Sequence, residues 1–319
     1  MAVSSIPRAH RLMRAATYAA VGTACLLIVV KVAAWMATGS LSLLASLVDS
    51  SLDAAASLIN LMAVRHALQP ADSDHRFGHG KAESVAGLAQ AAFIGGSAVF
   101  LALESAQRIV SPVAVVREGV GIGVMVFAMA ATALLVTFQR YVVRETQSLA
   151  IGADSAHYTG DILVNGSVIV SFLLNRLFGW GWADGVFAVG IAAYLARNAW
   201  GIGVTAFNQL MDKEMPEEER ARIIAIALAE SGALALHDLR TRVSGPNAFI
   251  QMHLEVDGGM RLVDAHDIAQ RVEDSLAAAF DGAEVIVHLD PIGIVEPDGS
   301  TARERVVSGE AAPPAADTP

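Results

Sequence analysis

The sequence predicts an α-helical membrane protein: six spanning helices, then a small α+β domain. Three observations predict it. Apolar residues make up 54% of the chain and charged residues only 17%, with a mean hydropathy of +0.49. The apolar residues gather into six stretches, each near the ~20 residues a helix needs to cross a bilayer. After Asp212 the character changes. Apolar runs shorten and alternation appears, and residues 212–319 carry 21 acidic and 9 basic side chains, net −12, against +2 for the remainder.

The six stretches run over 15–37, 41–64, 85–109, 120–138, 150–178 and 186–207. The first is too long for a cleavable signal peptide, and no small-residue cleavage site leads from it into a soluble domain. Lys31 within it is expected to snorkel toward the far interface near Trp35. Basic residues set the orientation. Arg8, Arg11 and Arg14 precede the first span, Arg65, Arg76 and Lys81 separate the second from the third, and Arg140 and Arg144 the fourth from the fifth. The opposite connections are poorer: none near Gly39, Arg108 and Arg117 at the third, Arg176 at the fifth. An even number of spans then leaves both termini in the cytoplasm. Gly95-Gly96, Gly121-x-Gly123 and Gly201-x-Gly203 fall within spans and are expected to permit close helix packing.

In the second region Pro216, followed by Glu217, Glu218 and Glu219, opens a helix to about residue 229. Residues 236–243 and 249–256 alternate around Gly245-Pro246-Asn247, a hairpin pattern. Asp264 reads as the N-cap of a helix to about 280, and 284–289 as a last strand. The order is αββαβ. The divisions are a cytoplasmic segment 1–14, a membrane domain 15–211, a cytoplasmic domain 212–296, and a tail 297–319 whose Ala, Pro, Ser and charge predict disorder. A net-negative domain beside a near-neutral membrane unit argues against nucleic-acid binding and suits gathering cations.

The chemistry lies in two spans. Asp49 and Asp53, and a hundred residues on His157 and Asp161, are i, i+4 pairs, so each pair occupies one helix face. An ionisable group inside a bilayer costs about 2.5–3.5 kcal/mol on insertion scales, and such groups line pathways or pair with something. Polar contacts between helices would explain a single buried acid. Two pairs made only of ligand-type residues point instead to a four-ligand site for a divalent cation.

The remaining histidines divide. His10 and His66 have no partners in sequence and read as surface residues. His75 and His79 share a loop with Asp72 and Asp74, which makes either a small cation site or a solvated loop. His237, His253, His266 and His288 fall in the second domain, the last followed by Asp290, and histidines on adjacent strands of a hairpin can converge on a metal. Cys25 is alone in an apolar span, so no thiolate site or disulfide framework is available. No Walker-type phosphate loop is present, so energy for transport must come from an ion gradient.

Six segments together resemble the cation diffusion facilitator family: Ser46-Leu-Val-Asp-Ser-Ser-Leu-Asp53, Asp72-Ser-Asp-His-Arg-Phe-Gly-His-Gly-Lys-Ala-Glu83, His157-Tyr-Thr-Gly-Asp161, His237-Asp-Leu-Arg-Thr-Arg242, Ile250-Gln-Met-His-Leu-Glu255 and His288-Leu-Asp-Pro291. The resemblance spans the chain from the second helix to the last strand. It implies a metallochaperone-like C-terminal domain, a homodimer with those domains paired, and a bacterial inner-membrane location. It implies a transport site at Asp49, Asp53, His157 and Asp161, and a loop site at Asp72, His75 and His79. It also implies a binuclear cytoplasmic site at His237, His253, His288 and Asp290 with His266 as an additional ligand, and a charge interlock between Lys81 and Asp212. Ala156 stands beside the site histidine where a close relative carries a larger apolar residue, and Ile292 stands in place of a cysteine.

Such ligands bind metal only when deprotonated, so protons compete with the metal. A site opening alternately to each side would then exchange metal for protons, with His157, of unperturbed pKa about 6.5, the natural proton carrier. Zn²⁺ is the expected cargo, with Fe²⁺ or Cd²⁺ possible and Mn²⁺ less suited to a histidine-containing set. A membrane metalloenzyme is a second reading, but it needs a catalytic acid or base and an open coordination position. A metal-responsive scaffold is a third, and it leaves the buried quartet without a purpose.

Overall fold

The computed structural model describes residues 6–39, 41–110, 119–180, 182–280, 282–293 and 305–308. The extreme N-terminus, Arg117 and most of the expected tail lie outside them. The chain forms two compact units, Pro7–Phe207 and a second from Asn208 onward, close to the division expected at Asp212.

The first unit holds six helices: α1 Ile6–Thr38, α2 Leu41–Ala67, α3 Lys81–Val110, α4 Gly119–Thr146, α5 Leu149–Phe178 and α6 Ala183–Leu210. All six are long and apolar enough to cross a membrane. They run past the expected apolar stretches. At 33 residues, α1 is about 50 Å long against a hydrocarbon core of about 30 Å, so its first turns, with Arg8, Arg11 and Arg14, continue the helix beyond the apolar layer. α5 is bounded by its own chemistry. Ser148 caps its start by accepting from the Ile151 N–H, and Gly179 at φ 71° ends it, donating back to the Asn175 carbonyl.

Packing joins the helices in buried apolar clusters. Met13 and Ala16 of α1, Val64 of α2, Ala86 of α3, Val142 of α4 and Ile151 of α5 make one cluster. Ile94 and Ala98 of α3 meet Leu195 and Ala199 of α6 in another. Lys31 does not snorkel. It is 8% exposed, and its Nζ donates to the Ser46 carbonyl at 3.0 Å and to Ser50 Oγ, so it staples α1 to α2 and its ammonium is satisfied within the bundle.

The second unit holds α7 Glu217–Ala229, β1 Ala235–Ser244, β2 Asn247–Val256, α8 Leu262–Ala279, β3 Glu284–Pro291 and β4 Val306–Val307. The sheet order is β3-β2-β1-β4, with β1–β2 and β1–β4 antiparallel and β2–β3 parallel across α8. One face carries Leu236, Ile250, Met252 and Leu254 into a core with Ile223 of α7 and Val272 and Leu276 of α8. Strand alternation puts His237 and His253 on the other face.

Two expectations are corrected. Val306 and Val307, within the stretch read as a disordered tail, pair with β1 as β4. Arg305 anchors them by donating from Nε and Nη2 to the two oxygens of Glu255 at 2.6 and 2.8 Å, a long-range contact that local composition does not encode. Asp264 is not the N-cap of α8. That position is Arg261, and Asp264 sits in the first turn, where it accepts from the Arg261 guanidinium at 2.8 Å and still favours the positive helix end.

Candidate metal centres

Within the first unit, α2 and α5 bring Asp53, His157 and Asp161 together, with ligand atoms within 4.8 Å of one another. His157 Nε2 lies 3.0 Å from Asp53 Oδ1 and 3.6 Å from Asp161 Oδ2, and Phe93 of α3 packs edge-on against the imidazole at 5.4 Å. Asp49, one turn before Asp53, stands outside this trio but lines the same cavity of ≈ 660 Å³. The cavity runs on past Asp161 to Glu104 of α3 and Asn165 of α5, toward the C-terminal ends of those helices. Ala156, beside the histidine, packs on the α3–α6 cluster.

Spacing does not single out two further acids of this unit. Asp154, 1% exposed, sits three residues before His157. It accepts from Gln139 Nε2 of α4 at 2.6 Å and from Ser57 Oγ of α2 at 3.5 Å, while Ser57 also meets the Tyr158 hydroxyl at 2.8 Å. Glu83 of α3, 2% exposed, accepts from Ser148 Oγ and from the Ala150 N–H, so one helix anchors the free N-terminus of another. Both ties hold α5, the helix that carries His157 and Asp161.

The loop after α2 folds on Asp72, whose Oδ1 accepts the backbone N–H groups of Asp74 at 2.9 Å and His75 at 2.7 Å. The His75 and Asp74 amides hold this carboxyl below the usual carboxylate range, ready as a ligand. His75 Nδ1 is 3.4 Å from Oδ1, and His79 Nε2 is 3.2 Å from Oδ2. His66, read as a lone surface residue, stacks edge-on against His79 at 4.5 Å.

In the second unit, His237 lies opposite His253 across β1–β2, and His253 beside His288 across β2–β3. The three imidazoles form a row, with ring centroids 5.0 and 4.6 Å apart. Asp290 lies across it. Its Oδ2 is 3.4 Å from His237 Nε2 and 2.8 Å from His253 Nδ1, while Oδ1 is 3.3 Å from His288 Nε2. One carboxylate thus turns one oxygen to His237 and His253 and the other to His288. Both ring nitrogens of His237 are buried without a hydrogen-bond partner, which suits a ligand. A β-bulge between His237 and Arg240, with Asp238 at φ 47°, leaves Asp238 Oδ2 3.8 Å from His253 Nε2. Glu255 Oε1 is 3.4 Å from His237 Nδ1, and the Arg305 guanidinium holds that carboxyl below its usual range. The period-2 pattern signals Glu255, two residues from His253, whereas nothing local signals Arg305. His266 lies on the exposed side of α8, outside the group formed by His237, His253 and Asp290.

The proposed interlock residues fall in different units. Lys81 opens α3. Asp212, at φ 54°, has Arg242 Nη1 at 3.3 Å.

Comparison with known proteins follows these divisions. The family described as cation efflux transmembrane domain matches residues 17–211, and that described as cation efflux protein, cytoplasmic domain, matches 215–292. The cation-efflux pump FieF of Salmonella schwarzengrund (strain CVM19633) is 48% identical over 289 residues, 91% of this chain and 96% of that protein. The pump of the same name from Salmonella agona (strain SL483) matches to the same extent. Among solved structures, CzrB in its zinc form is 36% identical over 27% of this chain and 98% of its own, with a TM-score of 0.25. The metal-bound C-terminal domain of the CzcD transporter from Thermotoga maritima is 31% identical over 26% and 100%, with a TM-score of 0.24.

Proposed function

Since this chain belongs to the cation efflux family, we propose that it is a secondary transporter that exports a divalent cation, foremost Zn²⁺ with Fe²⁺ and Cd²⁺ as further cargo, in exchange for protons. The observation that carries this reading is the convergence of Asp53, His157 and Asp161, with Asp49 in the same cavity, inside helices long enough to cross a membrane. A bare divalent ion cannot enter hydrocarbon. Carboxylates and a neutral imidazole replace its water shell, and the metal must displace their protons to bind. Metal held on one side and protons delivered from the other make the exchange obligatory.

The cavity supports alternating access. It extends from the ligands toward the C-terminal ends of α3 and α5, the ends that the positive-inside rule assigns to the outside. At the opposite ends, Glu83 ties α3 to the start of α5. This arrangement is outward-open, and the inward-open one requires that tie to loosen. The second unit is assigned as a cytoplasmic metal sensor that pairs in a homodimer of the bacterial inner membrane. Its proposed binuclear site comprises His237, His253, His288 and Asp290, with His266 as an additional ligand, and Lys81 and Asp212 are proposed to form a charge interlock near the membrane–cytoplasm junction. The loop trio Asp72, His75 and His79 is a further metal site.

The test is reconstitution in vesicles with an internal pH dye and a panel of Zn²⁺, Fe²⁺, Cd²⁺ and Mn²⁺. Wild-type protein is expected to move protons against the metal flux. Asp53→Ala and Asp161→Ala are expected to abolish that exchange while the protein stays folded by circular dichroism. Because binding releases protons, acidifying the metal-loading side should weaken uptake. Undiminished exchange in both variants sinks the assignment.

A further inference from the structure

Beside the loop between α2 and α3, the last turn of α2 carries an imidazole, His66, that the trio does not use. We propose that His66 is a fourth ligand of the loop site, so that this chain binds a borderline divalent cation of the Zn²⁺ class there in a closed set of three imidazoles and one carboxylate. The inference rests on the reading of Asp72, His75 and His79 as a metal site. It adds the ligand that changes what such a site does.

His66 lies in the last turn of α2, where the Gln69 N–H donates to its carbonyl at 3.0 Å. The chain then reverses. Asp72 gathers the amides of Asp74 and His75, and Gly78, at φ 75°, donates to the His75 carbonyl at 2.9 Å. The loop is therefore shaped by its own backbone bonds, and it brings His79 back onto the end of α2. There the His79 ring sits between two others, 4.5 Å from His66 and 4.6 Å from His75.

His79 supplies the second observation. Its side chain is 4% exposed, and its Nδ1 is buried without a hydrogen-bond partner. A buried ring nitrogen is costly to leave unpaired, and a bound metal ion would pair it. Asp72, His75 and His79 already hold ligand atoms within 4.8 Å of one another. His66 is exposed and stands against the same ring, free to close over the ion as the last ligand.

Three ligands leave a coordination position for water or exchange, whereas four close the tetrahedron. Nitrogen-rich sets of this kind take Zn²⁺, Co²⁺ or Cd²⁺ ahead of Mg²⁺ or Ca²⁺. A closed site releases its ion slowly. Here it acts as a clasp between the end of α2 and the start of α3, not as a stage in transport.

The experiment uses full-length protein in micelles, with the other centres removed by Asp53→Ala, Asp161→Ala, His253→Ala and Asp290→Ala, titrated with Co²⁺. The visible d–d bands are intense for four-coordinate Co²⁺ and weak for higher coordination. The expected result is one bound ion with intense bands. His66→Ala should lower affinity by at least the ~10–100-fold that loss of an outer-shell partner costs and should shift and weaken the bands as water takes the vacated position, with His66→Gln behaving alike. His75→Ala should abolish binding. If His75→Ala removes binding while both His66 variants keep the affinity and spectrum, the fourth ligand is overturned and the ring contact is stacking only. If His75→Ala has no effect either, it is the loop site itself that fails.

Discussion

At the residue scale, a carboxylate on α3 decides where α5 is held. The first N–H groups of a helix lack partners within it and favour negative charge, and Glu83 meets both needs by accepting from Ser148 Oγ and the Ala150 N–H. Glu83→Ala should cost about 1.5–3 kcal/mol, the usual worth of hydrogen bonds to a charged group. Glu83→Gln, which keeps an acceptor oxygen, should cost less. The check is the thermal midpoint in micelles together with Zn²⁺ affinity at the membrane site, both falling in the order wild type, Gln, Ala. Unchanged values in both variants would dismiss the anchor. In sequence Glu83 is only an acid in the first turn of α3, and its partners lie 65 and 67 residues away. Asp53, His157 and Asp161 are legible for the opposite reason, since ligand types inside an apolar run are expensive wherever the helix packs. Asp154, on α5 and more deeply buried than Asp53 or Asp161, is not legible, because Gln139 and Ser57, which hold it, come from α4 and α2. His66 has no partner in sequence; the fold supplies one by bringing His79 onto it.

At the element scale, the six helices and the αββαβ order follow from period and composition, but their contacts do not. Among the described residues, the paired glycines expected to permit close packing make ordinary contacts at most. A Cβ on Gly95 would meet Ala199 at 3.7 Å, one on Gly203 would meet Ala91 at 3.6 Å, and Gly96 and Gly201 have nothing within 4 Å. The tight approaches are at isolated glycines. At Gly87 a Cβ would come within 3.0 Å of Leu149, and at Gly160, the residue before Asp161, within 2.6 Å of Leu195 Cδ2 on α6. Gly160→Ala should therefore overpack α5 against α6 at about 1–3 kcal/mol, partly offset by the ~1 kcal/mol that Ala gains over Gly in a helix. Leu195→Ala alone should cost about 2–5 kcal/mol by leaving a void. Combined, the two substitutions should cost less than their sum, with a coupling of about 0.5–3 kcal/mol. Unfolding midpoints of the four proteins in micelles measure this, and strict additivity would mean that the helices do not meet there. β4 shows the same limit: a strand of two residues has no period, and its place comes from Arg305 reaching Glu255.

At the scale of the whole molecule, the uneven charge sets how two copies meet. Residues 212–319 carry a net −12 and the rest +2, so a homodimer that pairs its second units sets two strongly negative surfaces against each other. Repulsion of this kind is screened over about 8 Å at physiological ionic strength and reaches farther as salt falls. Two divalent ions on the row of His237, His253 and His288 with Asp290 would take residues 212–319 of each copy from −12 to −8, at the place where Asp290 turns one oxygen to His237 and His253 and the other to His288. The metal-free dimer is therefore expected to weaken as NaCl is lowered. With Zn²⁺ the dimer should be tighter and less dependent on salt. Acidification should act like a chelator, because the ligands bind metal only when deprotonated. His253→Ala should remove the effect of Zn²⁺ while leaving the salt dependence of the metal-free protein intact, since it changes a ligand and not the net charge of neutral imidazoles. Analytical ultracentrifugation of the full-length protein in micelles, with Zn²⁺ or with chelator across a NaCl series, separates the two contributions. A dissociation constant that is the same with Zn²⁺ and with chelator at every salt concentration would rule out metal as the link between the paired units, and would leave the histidine row to sense metal within one copy.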